Sequence, residues 1–466
     1  MSLENTDTIC AIATATGRGG IGIIRVSGPK TKEISLEILG FEATPRHAHS
    51  TNFLNHDQSI IDSGIAIYYV APNSFTGEDI LELQGHGGSQ IMHTVLDRVI
   101  ALGARQSHPG EFSERAFLNN KIDLVQAEAI ADLIDASSKQ AARSAMRTLQ
   151  GEFSKRINEL QSQLTATRVN VEAAIDFSDE DIDVLSDTGV SSAIDNTLNE
   201  LAKVFAEAEQ GVILREGMNV VIAGKPNAGK SSLLNALAGE ESAIVTDIPG
   251  TTRDLLRIEI TIEGMPVHVI DTAGLRESDD VVEKEGIKRA KQAIEQADQV
   301  LLVIDESHSE QDVSTLLTPF QNSSGELSLT REQLKNVTLI FNKIDLVNDA
   351  VAKHCSLTIA DNSFQKIRLS AKTGEGIDLL RTHLQQIIGY QPSESGSFVA
   401  RARHLSSLTA AKNSIISAAY NLSKHSPLEL IAEDLRLAQQ ALAAITGEIS
   451  SDDLLGEIFS NFCVGK

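Results

Sequence analysis

Apolar positions change their spacing along the chain, and the changes divide it into regions. Over residues 1–118 apolar and β-branched residues come in short runs, at 8–14, 21–26 and 64–70, or alternate with charge, at 78–83. Gly and Pro bound these runs, so they predict strands. Ile91, Val95, Leu96 and Ile100 predict one helix among them. From Glu111 to about Gly211 the spacing turns to three, four and seven. Ile157, Leu160, Leu164, Val171 and Ala174 follow it, as do Ile194, Leu198, Leu201, Phe205 and Ala208. Continuous apolar runs then appear at 220–223, 300–305 and 337–341, the pattern of a buried parallel sheet. Helical spacing returns with Leu405, Leu408, Ile415, Ala419 and Leu422. It continues with Leu428, Ile431, Leu435, Ala438, Leu442 and Ile445, where Ser426 is placed as N-cap and Pro427 as the first helical residue.

The helical seams on either side of the sheet region are narrow, as in long helices packed side by side. The economical inference is one bundle interrupted by an inserted domain; two separate bundles are the alternative. The expected fold is multidomain α/β: an N-terminal α+β domain (1–118), a first helical half (119–215), an inserted P-loop domain (216–390) and a second helical half (391–466). A length of 466 residues accommodates about three domains.

Composition narrows the setting. No apolar run approaches the ~20 residues of a membrane span, and the first seven residues are polar and acidic, so neither a span nor a signal peptide is read. Cys10, Cys355 and Cys463 are too scattered for a disulfide framework, which fits a reducing cytoplasm. A formal charge of −24 argues against a broad nucleic-acid-binding face. Two local basic clusters remain: Lys139, Arg143 and Arg147 at helical spacing, and Arg401, Arg403 and His404. Each is a solvated face or a local RNA contact. The turns Gly17–Gly20 and Gly85–Gly88 are likewise either plain turn chemistry or anion-binding loops.

The chemistry gathers around Gly224 to Ser231, which fits Gly-x-x-x-x-Gly-Lys-Ser between a strand and a helix. Backbone N–H groups of Asn227, Ala228, Gly229 and Ser232 converge on phosphate oxygens there. Lys230 supplies charge to the β- and γ-phosphates, and Ser231 a hydroxyl to Mg²⁺. Downstream, the loop Thr246, Asp247, Ile248, Pro249, Gly250, Thr251 and Thr252 places a second hydroxyl, that of Thr252, at the metal. A strand ends in Asp271, Thr272, Ala273 and Gly274, with Asp271 at the metal's water shell and the Gly274 N–H sensing the γ-phosphate. Asn342, Lys343 and Asp345 select the base: a carboxylate accepts from the N1–H and exocyclic amine of guanine, a pair that adenine does not offer. Ser370, Ala371 and Lys372 present the Ala371 N–H to the guanine carbonyl. Five such elements in order specify GTP. Leu275 stands where small signalling GTPases carry a water-orienting glutamine. Glu283, in an acidic stretch at 277–285, is either that residue's substitute or part of a solvated loop.

The chain resembles the MnmE (TrmE) family of tRNA-modifying GTPases over essentially its whole length. The residues that carry the likeness are 17–25, 82–88, the GTPase motifs and the ending Phe462 to Lys466. The resemblance implies an N-terminal domain that dimerises and binds a tetrahydrofolate derivative (5-formyl- or 5,10-methylene-tetrahydrofolate) near Arg25, Glu82 and Lys121, with Lys466 returning to that site. It implies activation by K⁺ held at Asn227, Thr246, Ile248 and Thr251, water orientation by Glu283 and a functional tail thiol at Cys463. It also implies a substrate, the wobble uridine (position 34) of certain tRNAs, modified at C5 with a flavin-dependent partner of the MnmG type in a heterotetramer. A regulatory or ribosome-assembly GTPase is the rival reading; it leaves the N-terminal domain and the tail unused.

Overall fold

The computed structural model describes residues 7–15, 17–176, 189–239, 257–262, 264–271, 293–294, 297–308, 334–347, 351–359, 362–390, 398–449, 452–460 and 462–465. The chain forms two compact units. One comprises residues 1–134, 146–202 and 406–466, the other 135–145 and 203–405.

The first unit begins with strands β1 (Ile9–Ile12), β2 (Gly22–Ser27), β3 (His49–Leu54), β4 (Ile60–Tyr69), β5 (Ile80–Gly85) and β6 (Arg105–Gln106). They form one sheet in the order β3-β4-β5-β2-β1-β6, antiparallel except for β1 beside β6. Helices α1 (Thr31–Leu39) and α2 (Ser89–Ala101) bury Ile34, Ile38, Val95 and Val99 against Ile24, Val26, Leu81 and Leu83. The expected α+β organisation holds, with one correction: the buried face of α2 is Met92, Val95, Leu96 and Val99, and Ile100 is exposed. Its angular position lies just past the stripe that meets the sheet.

Helices follow: α3 (Glu111–Leu118), α4 (Leu124–Ile134), α5 (Lys139–Leu149), α6 (Glu152–Asp176) and α7 (Val190–Glu216). Asp123 and Gln126 open α4 with a reciprocal cap: Gln126 N donates to Asp123 Oδ1 at 2.8 Å, and Asp123 N to Gln126 Oε1 at 3.0 Å.

The second unit holds β7 (Met218–Gly224), α8 (Lys230–Ala238), β8 (Arg257–Ile262), β9 (Met265–Asp271), β10 (Gln299–Asp305), β11 (Val337–Asn342), β12 (Lys353–Ile359), β13 (Asn362–Arg368) and α9 (Ile377–Ile388). Its sheet runs β12-β13-β11-β10-β7-β9-β8. The five central strands are parallel, and β12 and β8 are antiparallel edges. Both faces are covered, which is why β10 and β11 read as unbroken apolar runs.

The remaining helices, α10 (Ala402–Ser423), α11 (Leu428–Thr446) and α12 (Asp452–Ser460), complete the first unit from residue 406 onward. α11 packs along α6, where Gln439 Nε2 donates to Thr165 Oγ1 at 2.6 Å across 274 positions of sequence. Their buried stripes are those the spacing predicts: Ile157, Leu160, Leu164 and Val171 on α6, Ile431, Leu435, Ala438 and Leu442 on α11. The two helical runs are therefore one bundle with an α/β domain inserted. At the start of α11 Pro427 takes the cap position, φ −50 and ψ 136, and Leu428 is the first helical residue. Ser426, expected as the cap, turns its hydroxyl to Asn421 Oδ1 instead.

Candidate functional site

A parallel sheet presents its ligand-facing loops at the carboxyl ends of its strands. β7, β10, β11 and β13 deliver the phosphate loop, Asp305, Asn342 and Ser370 to that edge. In the phosphate loop Asn227 and Gly229 have φ of 63° and 95°. Gly229 is obligatory on a second count, since a Cβ there would lie 2.2 Å from Asn342 Nδ2. Lys230 is buried, and its Nζ donates to Gly224 O at 2.9 Å and Lys225 O at 3.1 Å. The ammonium is thus held inside the loop, on neutral carbonyls that a phosphate oxygen outcompetes by charge. Ser231 and Ser232 occupy the first turn of α8, where N–H groups lack partners within the helix.

Asn342, the last residue of β11, ties the loops together. Its Nδ2 donates to Ala228 O and its Oδ1 accepts from Ala371 N, both at 2.9 Å. Ala371 N was expected to meet the guanine carbonyl; here it is bonded to Asn342. Ser370, fully buried, donates from Oγ to Asp345 Oδ1 at 2.6 Å and accepts from Thr373 N. That hydroxyl fixes the carboxylate while Asp345 stays exposed. Lys343 has φ 68° and places Nζ 2.6 Å from Asp305 Oδ2. Lys372 is exposed beside them. Asp271 ends β9 in register with Ile222 of β7, one strand from the phosphate loop. Thr246, Asp247, Ile248, Pro249, Gly250, Thr251, Thr252, Thr272, Ala273, Gly274 and Glu283 lie outside the described residues, as does Lys466.

The donor set fits a nucleoside triphosphate: the N–H groups of a helix N-terminus, one buried ammonium and an exposed carboxylate held by Ser370. Ser231, expected to give Mg²⁺ a hydroxyl, is exposed in the first turn of α8, and Asn227 is exposed on the loop where the K⁺ set was expected.

A second site lies in the first unit. Arg46, Tyr69, Phe75, Glu82 and Lys121 line a cavity of about 410 Å³, within the range of small-ligand sites. Arg25 Nε and Nη2 both donate to Glu82 Oε1, at 3.1 and 2.9 Å, and its guanidinium lies 5.6 Å from the Phe75 ring centre. Aromatic walls with cations and one carboxylate suit a flat heterocycle that carries acid groups. Arg46, Tyr69 and Phe75 escaped the sequence reading because they are separated in sequence and belong to no motif. The tail reaches the same unit: Val464 bridges to Pro109 and Gly110 N donates to Cys463 O at 3.3 Å. Cys463 is exposed.

Two readings narrow. The glycine turns lie against each other, Gly19 N donating to Gly87 O at 3.3 Å, which favours turn chemistry. His404 is buried with Nδ1 accepting from Arg401 N, so it drops out of the second basic cluster as a surface contact. Lys139 and Arg143 of α5 remain exposed.

With that geometry in place, comparisons with known proteins are informative. A family profile described as "MnmE helical domain" matches residues 124–463, and one described as "GTP-binding protein TrmE N-terminus" matches residues 8–121. Proteins named tRNA modification GTPase MnmE are similar throughout. The Pseudomonas fluorescens protein is 55% identical over 461 residues and the Stutzerimonas stutzeri protein 54% over 462, each match covering 99% of both chains. The Saccharophagus degradans protein is 52% identical over 467 residues, covering 100% of both.

Proposed function

The chain belongs to the MnmE family of tRNA modification GTPases, and from that membership we propose the particular chemistry that its sites support. It is a GTPase that acts in tRNA modification. We read the substrate as the wobble uridine (position 34) of certain tRNAs, modified at C5 together with a flavin-dependent MnmG-type partner. The added carbon derives from a tetrahydrofolate. GTP hydrolysis in the inserted domain drives a conformational change that serves this step, in a cytoplasmic homodimer. The working division is 1–118, 119–215, 216–390 and 391–466.

The observation that carries the reading is the cavity holding Glu82 and Lys121 beside Arg25. Tyr69 and Phe75 supply faces for a pterin ring, Glu82 an acceptor for its ring N–H and amine, and Lys121 and Arg46 charges for the glutamate carboxylates. When bound, the folate supplies a one-carbon unit; the chain's part is to orient the ring and pair its charges. Lys466 and Cys463 are assigned to the same site, through the tail paired with Pro109.

In the nucleotide domain we assign Mg²⁺ to Ser231 and Thr252 and K⁺ to Asn227, Thr246, Ile248 and Thr251. Glu283 is assigned to hold the attacking water, and Lys230 and Thr252 to meet the developing charge. The test is equilibrium dialysis of the full chain with 5-formyl-tetrahydrofolate and with 5,10-methylene-tetrahydrofolate. Saturable binding lost in Glu82→Ala, with the melting temperature kept, supports the assignment. Binding that Glu82→Ala and Lys121→Ala both leave intact removes it.

A further inference from the structure

The GTPase unit carries two carboxylates that none of the nucleotide motifs contains. Asp305 ends β10 and Glu306 follows it. The sheet brings β10, β11 and β13 side by side, with Asp305 in register with Asn342, and Phe341 with Arg368. Asp305 Oδ2 accepts from Lys343 Nζ at 2.6 Å, while Oδ1 is held by Ser307 through N at 3.0 Å and Oγ at 2.5 Å. Glu306 takes Arg368 in a fork, Nε to Oε2 at 3.1 Å and Nη2 to Oε1 at 2.8 Å. Its side chain is only 9% exposed. With strands ~4.8 Å apart, this second pair reaches across the end of β11.

Each bond therefore ends on a different base-recognition loop. Lys343 lies between Asn342 and Asp345, and Arg368 stands two residues before Ser370. Both loops need an outside hold. Lys343 has φ 68°, uncommon for a residue with a side chain, and forked Arg–carboxylate pairs fix geometry as well as charge. Burial pushes the Asp305 carboxyl up, but the bonds from Lys343 and Ser307 outweigh it and leave it below the usual carboxylate range. It is ionised at neutral pH.

We propose that Asp305 and Glu306 are positioning residues for guanine recognition, one carboxylate bracing each of the two loops that meet the base. This rests on the reading of residues 342–345 and 370–372 as those loops. Loosening either loop spoils the match of Asp345 to the exocyclic amine, which inosine nucleotides lack, so the preference for guanosine over inosine falls. The γ-phosphate end is untouched.

The experiment is calorimetric titration of the full chain with GDP and with inosine diphosphate, alongside GTPase kinetics. Asp305→Asn and Glu306→Gln should each lower the GDP-to-IDP affinity ratio several-fold, and the double variant about tenfold. KM for GTP should rise while kcat at saturation stays within twofold. Arg368→Lys keeps the charge but cannot form the fork, so it should reproduce the Glu306→Gln ratio; it serves if the double variant does not fold. A ratio within twofold of wild type in the double variant and in Arg368→Lys overturns the proposal. So does a fall in kcat at unchanged KM. Asp345→Asn is the separate arm: it should transfer preference to xanthosine diphosphate. If it does not, the base-loop reading itself has failed.

Discussion

Gly229→Ala adds one methyl group, and the structure predicts a large effect from it. Two costs arise. At φ 95° an L-residue is strained by roughly 1–2 kcal/mol. The new Cβ would also stand 2.2 Å from Asn342 Nδ2. Asn342 is a short, buried side chain whose bonds to Ala228 O and Ala371 N join the phosphate loop to the base loops. To make room it must give up one or both, at about 0.5–1.5 kcal/mol each. Gly389→Ala is the matched control: φ is 72° and nothing lies within 4 Å of the added Cβ, so only the strain applies. The excess in Gly229→Ala is about 0.5–3 kcal/mol, and it falls on nucleotide affinity because both loops must be in place to bind. At 1.4 kcal/mol per decade the dissociation constant for a fluorescent GDP analogue should rise roughly 2–100-fold, with Gly389→Ala unchanged. Stopped-flow or equilibrium fluorescence measures it. Equal affinity in the two variants would refute the argument that Asn342 locks the loops together.

Further outcomes follow from the proposed ion and water positions and from the packing. GTP turnover should be faster in K⁺ than in Na⁺, and Glu283→Ala should lose turnover while retaining GDP binding; steady-state kinetics and calorimetry check both. Arg115 is fully buried among Asp7, Glu78 and Glu111. Arg115→Met leaves Asp7 and Glu111 to Arg105 alone and Glu78 without its arginine, and should cost up to ~3–5 kcal/mol, read by denaturant unfolding. Burial first, and His354 second, push His383 from its ordinary 6.5 down to about 4. Its Nε2 faces the Thr338 hydroxyl, whose oxygen already accepts from Gln299. The unfolded chain therefore takes up a proton that the folded one refuses between pH 6.5 and about 4. Stability is present above that window and declines as pH falls through it, by up to ~3 kcal/mol. His383→Leu should flatten that part of the profile.

The nucleotide edge was legible in the chain because each loop is a contiguous motif anchored on an unbroken apolar strand. The bundle was legible because α6 and α11 bury strict three-and-four stripes. β3 was missed for a physical reason: it is an edge strand, mostly polar, with Phe53 its only buried residue. α1 carried a usable signal in Ile34 and Ile38, but its nine residues are too few turns for the spacing to stand out. The N-terminal cavity was half visible. Arg25, Glu82 and Lys121 came from the family likeness, whereas Tyr69 and Phe75 reach it only through β4, its pairing with β5 and the loop between them, and Arg46 through the bridge of Pro45 to Tyr68. Asp305 and Glu306 were hidden because bracing is a property of strand order. β10 lies next to β11, and β11 next to β13, an adjacency that no local pattern encodes.

Nucleotide hydrolysis and the N-terminal cavity are proposed to serve one reaction on tRNA. Mass spectrometry of wobble uridines tests it most directly, in cells lacking this chain and rescued by wild type, Glu82→Ala or Asp271→Ala. The C5 modification should disappear on deletion, return with wild type and return with neither variant. Wobble uridines that keep their modification in the deletion strain would contradict it.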